Sequence, residues 1–318
     1  AGMLAARALP LPDRTWTVGR GDEAGMDRKI KGVLCIVSAA ACFALQGVFV
    51  RLSGDLPSMQ KSFFRNFIAL LFALALLLRS REKLQWNKKQ LPVYLARAVF
   101  GTIGILGNYY AIDHLLLSDA SMLNKLSPFF AIIFSYFALR ETVKPMQVLG
   151  ILVAFLGALC IIKPGGIGNG EWHAAVIGAV GGMAAGAAYT AVRVLGQRGE
   201  RNAFIVFFFS AFSCLVCLPF LVFDYHPMSL FQAAMLGLAG LSAAGGQFSV
   251  TAAYTYAPAR EISVYDYTQV IFSAALGFFL FQQMPDWLSV VGYVLICGVS
   301  IVLFFYHNRR LPRGKGAD

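Results

Sequence analysis

What most limits the fold of this chain is its succession of apolar stretches, each about long enough to cross a bilayer, joined by short connections. Hydropathy, punctuated by Pro, Gly and charge, predicts ten spans. They lie at roughly 31–51, 57–78, 91–112, 117–139, 145–163, 172–195, 202–223, 230–256, 259–281 and 286–306. A membrane helix needs about 20 apolar residues, and in lipid every backbone N–H and C=O must be satisfied within the protein. The expected fold is therefore an all-α membrane protein of ten transmembrane helices. Only 14% of the 318 residues are charged, against about 25% in soluble domains. No connection is long enough to hold a soluble catalytic domain.

The net charge of +11 raises nucleic acid as a partner, but the placement of the charge argues against it. With the N-terminus inside, the inner segments hold Arg28, Lys29, Lys31, Arg79, Arg81, Lys83, Lys88, Lys89, Arg140, Lys144, Arg198, Arg201, Arg260, Arg309, Arg310, Arg313 and Lys315. The outer segments hold Arg51, Lys61 and Lys163, so the balance is 17 to 3. Basic residues in short loops mark the cytoplasmic side. Both termini are expected there (N-in, C-in), and the basic charge sets topology. Residues 1–27 differ in composition from the rest. Met26-Asp27-Arg28-Lys29 reads as a start, and 1–27 as a flexible extension, upstream or non-native. A basic cytoplasmic tail covers 307–318.

The two halves repeat. Asp119, Lys125, Ser127, Phe137, Leu139 and Glu141 map onto Arg260, Asp266, Thr268, Phe278, Leu280 and Gln282 when 141 is added, and Gly150 maps onto Gly292 after a one-residue insertion. A gap placed earlier would instead pair Lys125 with Tyr267. Five spans per repeat is an odd number, so the second half enters the membrane inverted. The repeats are 28–166 and 167–306. Inverted repeats are the plan of secondary transporters, whose site lies near the midplane where the repeats meet.

Over residues 31–306 the chain resembles the drug/metabolite transporter superfamily, in particular its EamA-type ten-helix members. The resemblance rests on Arg97 and its following glycines, Tyr109-Tyr110-Ala111, Leu117, Asp119-Ala120, Ser127-Pro128, Glu141, Gly150 and Gly157. The second half departs from this pattern, with Gln269 for Pro128 and Gln282 for Glu141, which makes the halves chemically unequal. The resemblance implies a central cavity lined by spans 1, 3, 4, 6, 8 and 9, with spans 5 and 10 peripheral. It also implies transport of amino acids, other small metabolites, or phosphorylated and nucleotide-linked compounds.

Lys125 and Asp266 are the sharpest candidates for the pathway. A charge at this depth costs roughly 2.5–3.5 kcal/mol on insertion scales and faces a cavity or a partner. At 1.5 Å per residue each lies roughly 10 Å inside its own membrane face. One charge of each sign suits a zwitterion, or a gating pair that breaks as substrate binds; a permanent ion pair holding the repeats together is the plainer alternative. Helical spacing adds Gln46 on span 1, Arg97 and Asn108 on span 3, Tyr189 on span 6, Gln247, Thr251 and Tyr254 on span 8, and Gln269 on span 9. Interhelical hydrogen bonds are the competing role for each neutral residue. Arg65 lies about two turns into span 2; Arg97 lies nearer the cytoplasm, where snorkelling competes with substrate contact. Gly178, Gly182 and Gly186 give span 6 a small-residue face for close packing or a hinge. Pro128 removes a backbone hydrogen bond just after Lys125.

The six cysteines lie inside the expected spans and read as packing residues. The sequence contains no HExxH, GxSxG or P-loop, and His114, His173, His226 and His307 lie scattered near helix ends. No enzyme, metal or cofactor is expected. The expected function is secondary transport, by alternating access, of a small polar metabolite such as an amino acid or related zwitterion. An organic anion is the alternative, because Arg65, Arg97 and Lys125 outnumber Asp266. The expected partners are a small-molecule substrate, the lipid bilayer and protons coupled through Asp266. The expected location is the bacterial inner membrane.

Overall fold

The computed structural model describes residues 21–79, 88–139, 143–163, 172–256 and 263–309. Arg140-Glu141, the Pro164-Gly165-Gly166 turn, Pro258 and Arg260 lie outside these. So do residues 1–20 and the end of the tail from 310. The described residues are helices joined by turns. The long ones are α1 (Gly21–Leu52), α2 (Ser58–Arg79), α3 (Leu91–His114), α6 (Pro145–Ile162), α7 (Trp172–Gln197), α8 (Asn202–Phe223), α9 (Leu230–Tyr256) and α11 (Trp287–Arg309). Among the described residues, these eight are long and apolar enough to cross a membrane. The helix of α1 begins at Gly21, seven residues earlier than the composition boundary at 28 suggests.

The fourth and ninth expected spans differ from the rest, because neither is one continuous helix. The fourth is α4 (Leu117–Asn124) and α5 (Ser127–Leu139), separated at Lys125-Leu126. Pro128 lacks the N–H that would continue the ladder to Asn124, so α5 starts afresh with proline in its first turn, where that N–H is not needed. The ninth is a 3-10 turn (Ser263–Tyr267) followed by α10 (Thr268–Phe281). The charged residue of each repeat stands at its break.

Helix pairing exchanges under the repeat. Helix α1 packs along α9, and α3 packs equally along α7; exchanging the halves turns one pair into the other. The pairs α2–α8, α6–α11 and α4–α10 each map onto themselves, as a twofold relation requires. Close approach depends on glycine. A Cβ on Gly107 would stand 2.9 Å from the Ile177 carbonyl on α7, and one on Gly292 would stand 2.6 Å from the Gly157 carbonyl on α6. Small residues at the crossing let membrane helices approach backbone to backbone.

One end of the bundle is tightly cross-tied. Gln60 donates to the His226 carbonyl (2.9 Å) and accepts from its N–H (3.1 Å), and Gln232 donates to the Ser53 carbonyl (3.0 Å). The Leu117 N–H donates to Gln283 (3.0 Å), and Arg51 donates to the Leu115 carbonyl (2.6 Å). Lys163, at the end of α6, pairs with Asp286 (2.5 Å), which also accepts from the Ser289 N–H at the start of α11. The contacts of Gln60 with His226, Gln232 with Ser53, Leu117 with Gln283 and Lys163 with Asp286 join the first half to the second.

Candidate functional site

The two breaks meet. Lys125 Nζ lies 2.5 Å from Asp266 Oδ2, so the residues related by the 141-residue offset form an ion pair across the halves. The lysine side chain is 8% exposed and the carboxylate 27%. The Tyr267 hydroxyl donates to the Lys125 carbonyl at 3.4 Å, near the gap left by Pro128. One turn away Ser121 and Ser273 share a hydrogen bond of 2.7 Å, a second polar link between the same elements. Helix α7 closes over the break: a Cβ on Gly182 would stand 2.5 Å from the Leu123 carbonyl, and one on Gly186 2.7 Å from the Ser127 carbonyl. Of the two roles open to this glycine face, the geometry accounts for close packing.

A second cluster gathers the arginines. The Arg97 guanidinium lies over the Phe209 ring at 4.1 Å and against Gly101, where any Cβ would come within 2.1 Å of its Nη1. Arg97 and Arg65 lie within each other's electrostatic reach, with Tyr189 beside Arg97. Arg65 donates to Asn66 Oδ1 (2.7 Å), and Gln46 donates to the Tyr109 hydroxyl (3.0 Å), which Arg65 also approaches. The Nε atoms of both arginines and Gln46 Oε1 are buried without a hydrogen-bond partner among the described residues. Buried polar groups are ordinarily satisfied, so three orphaned atoms in one cluster are hydrogen-bonding capacity that the described residues leave unused.

The other predicted residues fall less closely. Asn108 is half-buried where α3 crosses α7, its N–H backing onto Gly181. Tyr189 is half-exposed on α7. Gln247 is exposed on α9, and Gln269 is half-buried in the first turn of α10. Thr251 and Tyr254 lie on α9, and their side chains are outside the described residues.

Several polar contacts carry no mark in the sequence. Lys61, counted above as an outer-loop charge, is instead wholly buried in the first turn of α2 and paired with Asp113 at 2.6 Å. A hydropathy window does not separate a loop residue from a helix's first turn. Asp119 accepts from the Tyr293 hydroxyl at 2.5 Å, and Asn66 donates to Ser213 on α8 at 2.8 Å. Phe209 and Tyr109 enter as aromatics in apolar helices, a pattern shared by many lipid-facing residues. The six cysteines are free. Among the described residues no cluster of three metal-ligating side chains exists.

The EamA-like transporter family matches residues 30–163 and 173–305. The pseudopaline exporter CntI of Pseudomonas aeruginosa is 33% identical over 280 residues, covering 87% of this chain and 97% of that one. Human solute carrier family 35 member G1 is 23% identical over 286 residues, covering 85% and 78%. One crystal structure of a protein 18% identical shares the fold, with a TM-score of 0.58 over 87% of this chain and 98% of the other.

Proposed function

The chain belongs to the EamA-like transporter family and is a multi-pass membrane transporter of a small molecule; from that premise we propose that its cargo is a carboxylate-bearing metabolite, an amino acid or related zwitterion. The observation that carries this reading is the Lys125–Asp266 pair at the meeting of two broken spans; a separate cluster supplies two arginines with orphaned Nε atoms. The substrate carboxylate binds within the Arg65–Arg97 cluster. Its ammonium competes with Lys125 for Asp266, and the pair opens as substrate enters.

The proposed cycle is alternating access. The spans cross ten times, with both termini inside and the second half inverted. On that topology the cross-tied end is the outer one, so the structure is closed outward. Cargo and coupling follow from the pathway residues: a proton reaching Asp266 releases Lys125 as a substrate ammonium would, which gives proton exchange a route. An α-helical bundle of this kind belongs in the inner membrane of a bacterium.

A second reading is supported by the closed state of the ion pair. With Asp266 committed to Lys125, the charge left unsatisfied in the arginine cluster is wholly positive, which favours an organic anion without an amine. Counterflow in proteoliposomes separates the two. Exchange of amino acids supports the first reading; exchange confined to organic acids overturns it in favour of the second.

A further inference from the structure

Every described carboxylate within the spans is already taken. Asp113 is bonded to Lys61, Asp119 to Tyr293 and Asp266 to Lys125. Arg65 and Arg97 therefore lie within each other's electrostatic reach with no counter-anion from the described residues, and like charges in a weakly solvated site repel. Each guanidinium is anchored on one side, Arg65 by Asn66 and Arg97 by the Phe209 ring and by close packing against Gly101. What each leaves unpaired is the edge carrying Nε, buried and without a hydrogen-bond partner among the described residues. A planar guanidinium grips a carboxylate with two parallel N–H groups, and Nε with its neighbouring terminal nitrogen is one such fork.

We propose that the transported molecule carries two carboxylates, one for the Nε edge of Arg65 and one for that of Arg97. This rests on the carboxylate-transport reading above and narrows it to diacids. A monoacid neutralises one guanidinium and leaves the other buried without a partner; a diacid satisfies both. Gln46 Oε1, the third orphaned atom, stands beside this pair through Tyr109 and accepts from an N–H or O–H of the cargo's backbone.

The test uses the purified full chain in nanodiscs, with binding followed by calorimetry and by thermal shift. The probes are glutarate and glutamate, each set against its mono-amide, glutaramate and glutamine. Each diacid is expected to bind at least about tenfold more tightly than its mono-amide, the difference of one charge-assisted pair. Arg65→Gln and Arg97→Gln should each remove that preference, bringing diacid binding down to that of the mono-amide or below it. Arg65→Lys and Arg97→Lys, which keep the charge but lose the fork, should fall between. Equal binding of diacid and mono-amide overturns the inference and leaves carboxylate transport standing. Absence of binding by all four probes overturns both.

Discussion

Lys125→Met removes one half of the pair that joins the two breaks. Taking one partner from a buried ion pair costs about 3–5 kcal/mol. Asp266 retains 27% of its side-chain exposure, so water recovers part of the loss and the expected destabilisation is about 2–3 kcal/mol. Asp266→Asn should cost a similar amount, because Lys125 then keeps its charge at 8% exposure with an amide as neighbour. The double variant buries no unpaired charge. Its destabilisation should fall short of the sum of the singles by about 2 kcal/mol, the range found for residues in direct contact. Denaturant unfolding in mild detergent measures the coupling, and proteoliposome counterflow measures transport of the same three proteins. All three are expected to lose flux, since neither charge can be exchanged for a substrate group. A coupling under about 0.5 kcal/mol would refute the pairing. Transport restored in the double variant would refute the pathway role and leave a purely structural pair.

Gly101→Ala places a methyl 2.1 Å from Arg97 Nη1 and 2.8 Å from Phe209. It should displace the guanidinium from the ring, weaken substrate binding about tenfold and leave the unfolding free energy within about 1 kcal/mol, as alanine favours the helix. Gly182→Ala meets the Leu123 carbonyl at 2.5 Å, which is backbone and cannot rotate away. A loss of about 1–3 kcal/mol in detergent unfolding is expected. Burial raises the Asp286 pKa, but the hydrogen bonds from Lys163 and the Ser289 N–H outweigh it and hold the carboxyl below its ordinary value. Its folded-state pKa is thus lower than its unfolded one, so its contribution is complete above the unfolded value and is lost as pH falls through the folded one. With the carboxylate 51% exposed, the contribution is under about 1 kcal/mol. Asp286→Asn should flatten the acid limb of the stability curve below about pH 4, and an unchanged limb contradicts the assignment.

The helical segments were legible because lipid imposes a strong rule, that a backbone crossing it must satisfy itself. Apolar runs bounded by Pro and Gly mark such segments directly. The offset of 141 that aligned Lys125 with Asp266 anticipated their contact, because a twofold relation brings equivalent positions together at its axis. The break after Lys125 was flagged by Pro128; its mate near Tyr267 was not, because Gln269 stands where a proline would have announced it. Lys61 was misread for a different reason. Its partner Asp113 is 52 residues away, and nothing local distinguishes a buried lysine in a first turn from one in a loop. The roles of Phe209 and Tyr109 depend on which way each ring turns, and an all-apolar stretch carries no periodic signal for that.

Transport by the proposed route requires that Arg65 and Arg97 line a water-filled path between the halves rather than a sealed interface. The most direct measurement replaces the six native cysteines and then introduces Arg65→Cys, Arg97→Cys and Tyr189→Cys singly. Each is exposed in membranes to a charged, membrane-impermeant thiol reagent. Labelling is expected at all three positions, with Ala239→Cys at the buried position on α9 unlabelled as a control. Labelling by a lipid-soluble maleimide alone, with the charged reagent excluded from positions 65 and 97, would contradict that route.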